Sequence, residues 1–357
     1  MANNHLDNIV INITLAPAPL QIAGFGTAMI IADGVTSSLD GDRIRTYGSV
    51  TAAAADNTAG FLSAAMLAAV TAAFSQRTPP VEIKVGRTDI GDADIAASLV
   101  AIEAADDDFY GIASESRAAA VQVVLSAAVE ARSKFYILQS SDVLWKTTGI
   151  PAAYSAIAGS ERTAVLYHDT DTEWGDFAWL ANRLVFDPDE RSAPWDAAVQ
   201  GVAALAAAPT DTEKGFLDTN FANHGLPYGP ELFFVDAGVN LAGRPIHEIE
   251  TADWFEVRLQ ESVVGVKTAA SADGRKIVVG PSGQGQILAE IAALFQRGVN
   301  ASHFIAGQTE QTALAITQAD LDLGRLRFTG RAQLASSARI FIFNFNFSRT
   351  PIFAEAA

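Results

Sequence analysis

Arg339-Ile340-Phe341-Ile342-Phe343-Asn344-Phe345-Asn346-Phe347 alternates without a break between aromatic and other residues, the two-residue period of a β-strand. Phe341, Phe343, Phe345 and Phe347 share one face, while Ile340, Ile342, Asn344 and Asn346 grade from apolar to polar on the other. A strand this regular presents bare N–H and C=O groups along its edges and needs a sheet to join. Near the N-terminus, Ile9-Val10-Ile11-Asn12-Ile13-Thr14-Leu15 repeats the pattern more weakly, with Ile9, Ile11, Ile13 and Leu15 on one face. Ala16-Pro17-Ala18-Pro19 then ends the strand and stiffens the exit. Two arrangements satisfy both ends: the termini pair inside one sheet of their own domain, or each completes the sheet of a neighbouring copy.

Between these ends the pattern alternates. An apolar run at 27–32 reads as a buried strand that Asp33-Gly34 turns, and an Ala-rich helix over 50–76 stops before Pro79-Pro80. A strand at 81–85, a helix at 92–105, a strand at 110–113, a helix at 116–132 and a strand at 134–139 continue the same grammar. A helix around 150–158, a strand at 163–167 and a helix at 173–186 follow. Strands alternating with helices predict an α/β sheet with covered faces. Beyond 187 the text is turn-rich, and the spacing predicts an Ala-rich helix from 195 to 207 and a hairpin from 231–236 and 244–249. It predicts a helix capped by Thr251, a strand at 276–279, a helix at 284–298, and two strands around 311–317 and 325–332.

With 357 residues, 49% hydrophobic and 18% charged, the chain has the size of two domains and can bury a sizeable core. Its net charge of -17 disfavours nucleic acid and anionic membrane as partners, since phosphate binding needs clustered Lys and Arg. The absence of cysteine excludes disulfides and thiolate chemistry. No signal segment and no membrane span is expected, so a soluble protein is predicted.

Motifs for chemistry fail one after another. Gly24-Phe25-Gly26 precedes a strand, whereas a dinucleotide loop follows one. His168-Asp169-Thr170-Asp171-Thr172-Glu173 resembles the start of a calcium loop, but Trp174 stands where the sharp turn needs Gly; a solvated loop with an acidic helix start is the plainer account. Ser282 in Gly280-Pro281-Ser282-Gly283 lacks the second Gly of a nucleophile elbow and reads as a helix start. Asp106-Asp107-Asp108 is expected to be a solvated acidic patch at a helix end. No catalytic, cofactor-binding or metal-binding residue is assigned.

The order of parts resembles the compact contractile tail sheath proteins of bacteriophages. It is carried by the 9–15 strand, Pro-x-Pro, Gly-Phe-Gly-Thr and an apolar strand, then by Arg43-Ile44-Arg45-Thr46-Tyr47-Gly48 and its following helix. Further matches are Gly201-Val202, 233–243, and 246–254, where the family shows a helix after an aspartate–tryptophan pair, then Gly280-Pro281-Ser282-Gly283 with its helix and the final strand. The stretch 329–334 and the Phe/Asn alternation depart from the family.

The resemblance implies an α/β (α+β), two-domain, tail-sheath-like architecture with terminal strands donated to neighbouring subunits. An outer α/β domain would span 21–249, and an inner domain would combine the arm 1–20 with 250–357. It implies homohexameric rings stacked helically around a tail tube protein, with baseplate and tail terminator proteins as further partners. Neither enzyme activity nor a cofactor is implied. Assembly in the host cytoplasm, a place in the virion, and contraction for genome ejection through the host envelope follow from the family. Ile9, Ile11, Ile13, Leu15, Ile340, Phe341, Ile342, Phe343, Phe345 and Phe347 would be subunit-interface residues, and Gln284, Gln286, Glu290 and Arg297 would face the tube. The 284–298 helix reads equally as an amphipathic core helix with Ile287, Ile291, Leu294 and Phe295 inward. The competing class is a cytosolic α/β enzyme, perhaps hydrolase-like, with its termini paired in its own sheet.

Overall fold

A computed structural model of the chain describes residues 25–227 and 233–335; both terminal strand stretches, and with them every expected arm residue, lie outside the described residues. The chain opens with β1 (Ala28–Ala32), β2 (Ile44–Tyr47), α1 (Val50–Thr58), α2 (Ala64–Phe74), β3 (Ile83–Arg87), α3 (Ile95–Ala105) and β4 (Gly111–Ser114). It continues with α4 (Ala119–Glu130), β5 (Phe135–Ser140), β6 (Thr163–Tyr167), α5 (Gly175–Leu184), β7 (Ala197–Val199), α6 (Asp211–Thr219), β8 (Ala222–Pro227) and β9 (Phe233–Val235). A second group follows: α7 (Ile246–Ala272), α8 (Pro281–Asn300), β10 (Phe304–Ala313), α9 (Gln318–Leu323) and β11 (Phe328–Leu334).

Nine strands make one sheet in the order β2-β3-β1-β4-β5-β6-β8-β9-β7. β3, β1, β4, β5, β6 and β8 run parallel; β2 closes one edge antiparallel, and β9 and β7 close the other. β1 and β6 are buried at every residue, as parallel strands covered on both faces must be. α5 packs on α2 and lies across β1, β4 and β5, while α3 and α4 pack together and reach β3, β5 and β6. Gly111 permits the close approach of α5 to β4: a β-carbon there would come within 2.5 Å of Leu184 and 2.6 Å of Leu180.

Beyond the sheet, α7 and α8 pack side by side, and α8 carries a two-stranded antiparallel ribbon, β10–β11, with an irregularity between Phe304 and Thr309. Phe255, Phe295 and Phe304 hold this unit together, with ring centroids 4.9 to 5.9 Å apart. Twenty-seven residues make α7 roughly 40 Å long at 1.5 Å per residue.

Several expectations need correction. The expected helix from 195 to 207 is the short edge strand β7 followed by irregular chain, because Gly201 takes a left-handed φ of 73° and β9 offers a pairing edge. The expected hairpin does not form. β9 pairs with β7 and β8, and 246–249 begins α7 after Pro245. Thr251 is therefore inside the helix, buried and bonded to His303 rather than capping. Residues 276–279 form no strand. The expected strands 311–317 and 325–332 shift to Phe304–Ala313 and Phe328–Leu334. Asp106 and Asp107 are ion-paired with Lys84 at 2.7 Å and Lys134 at 2.8 Å, so the patch is anchored to the body rather than simply solvated. β2, α6, β8 and α9 add to the elements expected from sequence.

Candidate functional site

The loop after β6 uses its polar groups structurally. His168 is buried; its Nε2 donates to Ala203 O at 3.1 Å and its Nδ1 accepts from Thr170 N at 3.1 Å. Asp169 and Glu173 accept from Ala206 N at 2.7 Å and Ala203 N at 3.1 Å. These carboxylates thus clamp the 203–206 segment, and no group of three metal-ligating side chains is found among the described residues. Phe25, in the glycine-flanked stretch before β1, packs on Tyr110 at 5.2 Å. Ser282 lies exposed in the first turn of α8, behind Pro281.

A cleft of about 440 Å³ opens at the carboxyl ends of β1, β3 and β4, where the strand order reverses and open α/β sheets take ligands. Asp33, Asp89, Asp92, Asp94 and Glu115 line it. Arg43 grips Asp92 with two bonds of 2.6 and 2.7 Å, which with burial against it leaves the Asp92 carboxyl well below the usual carboxylate range. Asp94 caps α3 through Ala97 N. An acid wall of this kind repels phosphate.

Two carboxylates, one buried and one half-buried, join the sheet to the helical unit. Asp253 of α7 accepts from both terminal nitrogens of Arg162, at 2.6 and 2.7 Å, and from Tyr110 Oη at 2.8 Å. Asp189, in the turn after α5, accepts from Trp254 Nε1 at 2.7 Å, Arg258 at 2.8 Å and Arg297 at 2.7 Å. Burial pushes the Asp189 pKa up, and the Trp254 and Arg258 hydrogen bonds outweigh it, so the carboxyl stays below its usual range. His303 stacks on Trp254 at 4.5 Å and bridges the same seam, with Nε2 donating to Pro188 O at 2.6 Å. Nδ1 then accepts from the Thr251 hydroxyl at 2.6 Å. Burial lowers the His303 pKa and keeps this neutral tautomer. Of these residues, the sequence alone singled out Thr251 as a helix cap, Arg297 as tube-facing and Asp253-Trp254 as a pair before a helix, and it brought none of them together.

The ribbon is the other candidate surface. β10 and β11 pair with each other alone among the described residues, and beyond Phe304 both strands are exposed or half-buried throughout. On α8, Ile287, Ile291, Leu294 and Phe295 point inward. Of the four expected tube-facing residues, Gln286 is exposed, and Glu290 is half-buried. Gln284 donates to Leu314 O at 2.8 Å, and Arg297 is committed to Asp189.

Solved structures share this arrangement almost end to end. The contracted sheath of an extracellular contractile injection system, PVC, aligns over 98% of this chain and 99% of its own, with a TM-score of 0.62 and 13% identity. The helical sheath of the anti-feeding prophage in its contracted state aligns over 96% and 99%, with a TM-score of 0.61 and 14% identity. The fold is that of a contractile sheath protein. A chain in the six-fold symmetrised baseplate of the anti-feeding prophage shows the same fold at the same score and coverage. No family model matches the sequence, and no curated protein matches it. The α/β class with its nine-stranded sheet agrees with the sequence expectation.

Proposed function

We propose that this chain is the structural subunit of a contractile sheath, which packs as stacked hexameric rings around a tail tube and shortens to drive that tube through a host envelope. What carries the reading is the likeness to sheath subunits over nearly the whole of both chains. The open ribbon supports it. Two exposed strands whose outer edges are unpaired among the described residues lie just before the alternating 339–347 segment, and such edges are completed by added strands. The 9–15 and 339–347 arms of adjacent copies supply those strands, with Ile9, Ile11, Ile13, Leu15 and the Phe341 to Phe347 face at the contacts. Residues 21–249 form the outer body, and 250–357 with 1–20 form the inner one, with Gln286 and Glu290 toward the tube. Baseplate and terminator proteins cap the stack, and the assembled particle is the site of action. Shortening draws on subunit contacts that differ between two states.

Sedimentation of the full chain beside a 338–357 deletion tests this. The full chain is expected to pellet as large assemblies, and the deletion to stay folded by circular dichroism but remain in the supernatant. A deletion that unfolds, or a full chain that stays monomeric at high concentration, would count against donated arms.

A further inference from the structure

Glu250 sits in the second turn of α7 and is 5% exposed. Its hydrogen bond comes from a neutral donor, Trp195 Nε1, at 3.1 Å. The cation that faces it from α5, Arg183, directs its guanidinium to Asn182 Oδ1 and Pro194 O. The remaining ionisable groups leave the carboxyl without a counter-charge. Asp253, one turn on, is matched by Arg162; Tyr110, just before β4, donates to Asp253; Asp196 lies toward Arg183. A buried carboxyl served by one indole pays a desolvation cost when it ionises and is held as the neutral acid.

We propose that Glu250 is a proton-operated latch on the seam between the first turns of α7 and the Trp195 segment at the sheet edge: seated as the neutral acid it closes the seam, and losing its proton favours local opening. Burial pushes its pKa up to about 7; the Trp195 hydrogen bond draws it down, Asp253 lifts it further, and Arg183 opposes that lift. In the opened segment the same carboxyl titrates near 4.5. Opening therefore releases a proton between these values. The latch holds fully below about pH 4.5 and is lost as pH rises through about 7. His303, across α7 on Thr251, has a lowered pKa and acts in the opposite sense, and His247 and Glu248 are further ionisable residues on the same segment, so the effect must be read as a difference between variants.

Hydrogen–deuterium exchange of the full chain, followed on peptides covering 246–256 from pH 5 to 8.5 and corrected for intrinsic rate, tests the latch. Protection of the wild type relative to Glu250→Gln is expected to fall about tenfold per pH unit up to about pH 7 and to level off above it. Trp195→Phe removes the donor and is expected to move that levelling to higher pH. A protection ratio between wild type and Glu250→Gln that stays flat from pH 5 to 7 would overturn the proposal. Should Glu250→Gln not fold, a Trp195→Phe profile that levels at the same pH as the wild type would overturn it.

Discussion

Asp253 takes three charge-assisted or hydroxyl bonds from two parts of the sheet body, Arg162 and Tyr110, while its own helix runs on into the ribbon-bearing unit. Its side chain is 2% exposed and that of Arg162 21%. Truncating one member of such a pair leaves the other charge without its match, which costs about 3 kcal/mol or more. Asp253→Ala is accordingly expected to lower the unfolding free energy by that order, read from urea denaturation. Asp253→Asn, which keeps the shape but weakens both contacts, should fall between. Asp189 acts similarly from the other side, since Trp254, Arg258 and Arg297 converge on one carboxylate in a turn. These hubs were illegible in the sequence because their partners lie 65 to 143 residues away. Spacing within a helix reports the near neighbours of a charge, and nothing local marks Arg162 or Tyr110 as the acceptor's complement.

The helices and strands of the sheet body are where local pattern and structure agree best. The apolar runs at 28–32 and 163–167 become fully buried parallel strands, since only strands covered on both faces dispense with alternation. Reading failed where two local signals competed. Alanine favours helix weakly, so the Ala-rich 195–207 stretch looked helical, but sheet-edge pairing and a left-handed glycine decided otherwise. At 246–249, Ile246 and Ile249 fit a strand by eye, whereas their three-residue separation places both on the buried side of α7. The close approach of α5 to β4 gives an element-scale prediction. Gly111→Ala forces a β-carbon against Leu184 and Leu180, and overpacking of this kind costs about 1–3 kcal/mol. Thermal melting should show the loss, and Leu184→Ala in the same chain should recover part of it.

Across the whole molecule, charge is divided unevenly. From the start of α7, residues 246–357 carry ten Lys and Arg against eleven Asp and Glu, so -16 of the net charge of -17 belongs to 1–245. The unit that bears the ribbon is therefore almost electrically balanced, while the sheet body repels its own copies at low ionic strength. Self-association through the ribbon meets little net repulsion of its own, and screening of the bodies should favour it: at 1 M salt the Debye length falls to about 3 Å. That sets the conditions for the most direct measurement, negative-stain electron microscopy of the purified full-length protein at high concentration in 1 M NaCl. Hollow, transversely striated tubes are the predicted result, and a field of uniform monomers or small closed oligomers would contradict the sheath account.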